Sequence, residues 1–142
     1  MSTIRQSIIT QLLSELGNIS TANGYSFDVG NNIFDFRSSL LGGDEYPAII
    51  IRDPVDDISE DDDREHNLQI DVIVAAKGGT SVADVREMIA DVCAAFSNIT
   101  SQTYVTDARY TGSEIMTDQE QNKFGAANIK FAVIYHTDLW EI

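Results

Sequence analysis

Two segments of this chain place apolar side chains at every second position, and that period constrains the fold more than any other feature. Between Asn67 and Ala76, residues Leu68, Ile70, Val72 and Val74 fall on one face of an extended backbone. From Ala127 to Thr137, residues Ile129, Phe131, Val133 and Tyr135 alternate with Asn128, Lys130, Ala132 and His136. Strands that are apolar on one side need a covering layer, so the rest of the chain must supply helices for one face of a sheet.

Two helical patterns answer that need. Ile4, Ile8, Ile9, Leu12, Leu13, Leu16 and Ile19 recur at helical spacing behind a Ser2 or Thr3 cap, which predicts a helix over about residues 3–22, stopped at Asn23-Gly24. Gly17 interrupts it at a cost of ~1 kcal/mol relative to Ala. Val82, Val85, Ile89, Val92, Cys93 and Phe96 form a second stripe, opened by Thr80 or Ser81 with Asp84 in a capping-box position.

Further extended segments fill the gaps. Tyr25–Val29 and Ile33–Phe36 alternate around Gly30-Asn31-Asn32, as a kinked strand or a short hairpin. Tyr46–Arg52 is a short continuous apolar run, Tyr104–Ile115 is another strand, and Met116–Lys123 is a polar connection. The predicted product is a single α+β domain, residues 1–142, in the order α-β-β-β-α-β-β. Its mixed, mostly antiparallel sheet has about five strands, with both helices on one face. A chain of 142 residues can bury about 70% of its unfolded surface, enough for one core.

The strands flank an acidic stretch in which eight of the fourteen residues from Arg52 to Glu65 are Asp or Glu. It reads as a hydrated hairpin loop at about residues 53–66, kept flexible by self-repulsion among Asp61, Asp62, Asp63 and their neighbours. An EF-hand needs a Gly at its sixth position, and Asp56 to His66 contains none, so no metal site is expected there. His66 and His136 read as surface histidines, since a shared site would require the fold to bring them together.

Signals for chemistry are absent elsewhere too. Cys93, the single cysteine, allows no intrachain disulfide or cysteine-built zinc site, and on the helical stripe it packs as a small hydrophobe. Gly78-Gly79-Thr80-Ser81 lacks the Gly-Lys-Thr/Ser ending of a nucleotide loop, and no Gly-x-Ser-x-Gly elbow occurs. No catalytic residue and no cofactor is therefore expected. The N-terminal Met1–Leu16 segment, interrupted by Arg5, Gln6, Gln11 and Glu15, has no continuous apolar centre, so a cytosolic, membrane-free protein is expected. A formal net charge of −14 opposes adhesion to phosphate backbones.

The layout resembles one known family. The phrases Ala22-Asn23-Gly24-Tyr25, Tyr46-Pro47-Ala48-Ile49-Ile50-Ile51-Arg52-Asp53 and Tyr135-His136-Thr137, set around a charged loop, an alternating strand and a Ser/Thr-capped helix, resemble bacteriophage tail terminator proteins. These are also called tail completion or minor tail proteins.

The resemblance implies a structural virion protein, assembled in the host cytoplasm and placed at the head-proximal end of the tail. It implies a homo-oligomeric ring, usually a hexamer, that caps the tail tube, ends tube polymerisation and offers a docking surface to neck and connector proteins. Six copies at −14 each would carry about −84 formal charges around a conduit through which double-stranded DNA slides without sticking. Asp56, Asp57, Glu60, Asp61, Asp62 and Asp63 are the expected interaction surface. The alternatives are a neck or head-closure ring protein, a divalent-metal module using the acidic loop, and a protein mimic of nucleic acid.

Overall fold

The computed structural model describes residues 3–37, 41–42, 44–78, 80–101, 104–118 and 124–140. The element order is α1 (Ile4–Gly17), β1 (Ile33–Asp35), β2 (Ala48–Ile58), β3 (Glu65–Lys77), α2 (Ser81–Phe96), β4 (Val105–Asp118) and β5 (Phe124–His136). The strands form one sheet in the order β1-β2-β3-β5-β4. Only β1 and β2 run parallel; the other three pairings are antiparallel. The α+β architecture with two helices on one face is thus as expected from the sequence.

The period-two runs form the centre of this sheet. β3 and β5 pair without interruption from Glu65↔His136 to Lys77↔Phe124. On the helix-covered face, Leu68, Ile70, Val72 and Val74 join Ala127, Ile129, Val133 and Tyr135, all fully buried. Ile8, Leu12 and Leu16, one turn apart on α1, and Val85, Met88, Val92 and Phe96 of α2 close over them. The ring of Phe96 stacks on Phe131 with centroids 3.8 Å apart. The α2 stripe is rotated from expectation: Met88 and Ala95 are buried, whereas Val82, Ile89 and Cys93 lie at its margin. Burial raises the Cys93 thiol pKa, which suits packing rather than reactivity.

Two expected elements differ. Thr3 caps α1 as anticipated, accepting from the Gln6 amide at 3.0 Å, but the helix ends at Gly17, with the Asn18 N–H closing it onto Glu15 and Leu16. The Asn23-Gly24 stop instead closes a short 3-10 turn, Thr21–Asn23, with Gly24 left-handed at φ 89°. Residues Tyr25–Val29 form no strand. Side chains take backbone donors in and before this segment: the Ser26 amide donates to the buried Asp91 carboxylate at 2.8 Å, and Asp28 turns back to accept from the Thr21 amide at 2.8 Å.

At the other end of the sheet, β4 continues through Asp118, past its expected end at Ile115, while residues 119–123 lie outside the described residues, as do Ser2 and Gly79. Among the described residues, no helix is long and apolar enough to cross a membrane.

Candidate functional site at the acidic end of the sheet

The acidic stretch is mostly strand. β2 extends to Ile58 and β3 begins at Glu65, so the connection is the six-residue turn 59–64 instead of a loop over 53–66. A bulge in β2 explains why. The register passes from Arg52↔Asp71 to Val55↔Gln69, which inserts one extra residue at Asp53-Pro54 and switches the side-chain alternation. Before the bulge Ile49, Ile51 and Asp53 face the helices; beyond it Asp56 does, opposite Leu68. Pro54 fits here because its side of β2 lies past the pairing with β1, which covers only Ile49–Ile51.

Asp56 therefore enters the interior, its side chain only 6% exposed. It meets His66, whose side chain is 2% exposed, with Asp56 Oδ2 3.1 Å from His66 Nδ1. The Tyr135 hydroxyl donates to the same carboxylate oxygen at 2.7 Å, and the Tyr135 and His66 rings stack at 4.6 Å. On the far side of the imidazole, His66 Nε2 lies 2.9 Å from Thr137 Oγ1, and that hydroxyl donates onward to the Asp138 carbonyl at 2.9 Å. Beside the network, Arg5 of α1 reaches Asp53 through Nε at 2.8 Å and the Asp53 carbonyl through Nη2 at 2.5 Å, tying the helix to the bulge.

Hydrogen-bond direction sets what this network can do. The Asp138 carbonyl can only accept, so it takes a bond from Thr137 Oγ1, while the direction of the His66–Thr137 contact follows the imidazole tautomer. His66 Nδ1 faces a carboxylate oxygen of Asp56, a contact that is attractive only with a proton between them. The order carboxylate, imidazole, hydroxyl is that of a nucleophilic triad, but a nucleophile must donate to the imidazole. Here the Thr137 hydroxyl also bonds the Asp138 carbonyl, and both Thr137 and His66 are buried away from solvent. The geometry is that of a structural clamp. Burial, helped by the hydrogen bond to Asp56, pushes the Tyr135 pKa well above the usual tyrosine range.

The remaining acidic residues divide by position. Asp57 lies in β2 on the face away from the helices, where Gln69 Nε2 donates to it at 3.4 Å. Glu60, Asp61, Asp62 and Asp63 are exposed in the turn; Asp62 Oδ1 accepts from the Arg64 amide at 2.9 Å. Of the six residues expected at an interaction surface, Asp56 thus turns its side chain inward, and Asp57 lies exposed in strand β2 and not in the turn. His66 is likewise no surface residue.

Alternation sends the neighbours of the clamp the other way. Glu65 and His136 are strand partners on the face without helices, with Glu65 Oε2 3.4 Å from His136 Nε2. A bulge in β4 between Val105 and Asp107 holds Thr106 out of register, and its Oγ1 lies 2.7 Å from His136 Nδ1. The ligand atoms of Asp62, Glu65 and His136 all fall within 4.8 Å of one another. His66 and His136 are thus sent to opposite faces and share no site.

That outer face carries Ile50, Ile73, Ala75, Ala126, Ala132 and Ile134, all half-buried and with no helix over them among the described residues. Two amide oxygens on it, Asn67 Oδ1 and Asn128 Oδ1, are shielded from water yet have no partner among the described residues. A cleft of about 360 Å³ runs between Pro54, Asn67, Asp71 and Lys130. Compared with known proteins, the chain matches no family model and no curated protein.

Proposed function

We propose that this protein is a structural subunit of the phage tail terminator kind, which assembles with itself into a ring on the tail tube. The observation that carries the reading is the one-sided sheet. A layer of helices seals one face, while the other combines half-buried aliphatic side chains with two shielded, unpartnered amide oxygens. A buried acceptor without a donor costs about 1–3 kcal/mol, and a neighbouring subunit that supplies the donor removes that cost.

Other features support the same reading. The element order α-β-β-β-α-β-β agrees with the resemblance drawn from the sequence. The edge strand β4 exposes Ile115 and Met116 along a backbone that, among the described residues, has no strand on one side, a surface suited to another chain. The exposed turn Glu60–Asp63 would point carboxylates at a subunit boundary or at passing DNA, where repulsion from phosphate prevents adhesion. The clamp at Asp56, His66 and Thr137 is buried, out of reach of a substrate in solution, which favours a structural subunit over a hydrolase.

Light scattering coupled to size exclusion, on the protein alone and mixed with tail tube protein, is the test. The expected outcome is a discrete ring-sized species in at least one of the two; a monomer in both, at high concentration, rejects the reading. Tails that overgrow without the protein identify a terminator, and normal-length tails that fail to join heads identify a neck protein.

A further inference from the structure

We propose that Asp62, Glu65 and His136 form a binding site for a divalent transition ion, with Zn²⁺ the preferred occupant. It does not depend on ring assembly.

The first argument is spacing. Ligands about 2.1 Å from a tetrahedral ion stand ~3.4 Å apart along each edge. Glu65 Oε2 and His136 Nε2 are 3.4 Å apart, longer than the ~2.7–2.9 Å of a charge-assisted hydrogen bond. The pair is already set at the separation of two ligands on one ion, held there by strand register, since Glu65 and His136 are direct partners in the β3–β5 ladder.

The second argument is the orientation of the imidazole. Metal-binding histidines direct one ring nitrogen at the ion and fix the other through a hydrogen bond to a neighbouring group. His136 has that arrangement: Nδ1 is engaged by Thr106 Oγ1 at 2.7 Å, and Nε2 faces the carboxylates. Thr106 reaches it because it is the extra residue of the β4 bulge.

The third ligand comes from the turn. Asp62 Oδ1 is occupied by the Arg64 amide, and the Glu65 amide donates to the Asp62 carbonyl at 3.0 Å, which fixes the residue beside Glu65 and leaves its second carboxylate oxygen for the ion. Closing from within 4.8 Å to bonding separation requires only a side-chain rotation of an exposed residue. Water would complete the shell on the open side, as in sites with three protein ligands.

One imidazole and two carboxylates suit Zn²⁺ and, more weakly, Mn²⁺, whereas Mg²⁺ and Ca²⁺ prefer oxygen-only shells. Bound there, the ion would join the β2–β3 turn to the end of β5. Asp61 and Asp63 would add attraction without coordinating.

Calorimetric titration of the metal-stripped full chain with each of the four ions is the test. The expected result is a single saturable Zn²⁺ site with the affinity order Zn²⁺, then Mn²⁺, then Mg²⁺ and Ca²⁺. His136→Gln should weaken Zn²⁺ by at least tenfold and Thr106→Val by about tenfold, while the double variant Asp61→Asn with Asp63→Asn stays within about threefold. Saturating Zn²⁺ should raise the melting temperature by about 5–10 °C at a hundredfold excess over Kd.

No saturable Zn²⁺ heat, an unchanged affinity in His136→Gln, or an equal loss in the Asp61/Asp63 variant overturns the site, the last marking a diffuse acidic atmosphere. His136 is 41% exposed, so its variant should fold. Should it not, the His136 Nε2 resonance of the parent decides: it moves on Zn²⁺ addition if the site is real and stays fixed if it is not.

Discussion

The two faces of the same strand pair have opposite relations to polar groups. At the end of the β3–β5 ladder, His66 and Tyr135 point toward the helices while their neighbours Glu65 and His136 point away. Inside, Asp56 Oδ2 accepts from Tyr135 and meets His66, and His66 reaches Thr137, which leaves Asp56 Oδ1 as the atom of this network without a partner among the described residues. Outside, His136 is held by Thr106 but stands 3.4 Å from Glu65, and two asparagine oxygens lack partners among the described residues. A polar group committed to internal partners holds the fold together, and one left uncommitted is available to something else.

The sharpest way to break this contrast is Asp56→Ala. It leaves His66 and the Tyr135 hydroxyl buried without their acceptor, and the expected loss is ~3–5 kcal/mol in a denaturant titration. A loss below about 1 kcal/mol would mean that Asp56 belongs with the exposed carboxylates of the turn.

Gly125→Ala comes next. Gly125 sits on the covered face of β5, where an added Cβ would lie 2.7 Å from the Ser81 carbonyl oxygen, so the start of α2 must shift. About 1–3 kcal/mol should be lost, as for overpacking elsewhere, whereas Ala126→Ser, one residue on and facing outward, should cost under about 0.5 kcal/mol.

Tyr135 sharpens the comparison through pH. Its pKa is raised in the folded state, so the folded protein holds that proton more tightly than the unfolded chain does. That contribution is fully present below the unfolded value of ~10 and is lost as pH rises past it. Stability of the parent should fall above pH ~10 more steeply than that of Tyr135→Phe, read as the difference between their melting temperatures across pH 9 to 11.

The smallest stability effect belongs to the turn. Replacing Asp61, Asp62 and Asp63 together with Asn should change stability by less than about 1 kcal/mol, because all three are exposed. Asn128→Ala on the outer face should likewise leave the monomer within ~1 kcal/mol of the parent while weakening self-association, measured by light scattering.

Legibility in the sequence followed the same division. The β3 and β5 faces could be read from alternation alone, and extending the β3 period one step back from Leu68 places His66 inside; treating it as a border of the loop overlooked that step. Asp56 was not legible in this way. Its inward direction depends on the extra residue at Asp53-Pro54, and a single bulge reverses every side chain that follows. The meeting of Glu65, His136 and Thr106 depends on cross-strand register and a second bulge, neither of which a linear pattern encodes. The truncated first helix and the missing strand at Tyr25–Val29 came from side chains, Asp91 and Asp28, that took over backbone donors.

The uninterrupted pairing of β3 with β5 also governs how the chain can fold as it is made. Residues 65–77 wait for residues 124–136 to leave the ribosome, so for much of synthesis β3 is an apolar edge with β2 as its only neighbour in the sheet. The charged turn and the carboxylates flanking it sit at one end of that nascent hairpin, where their repulsion keeps incomplete copies from pairing edge to edge.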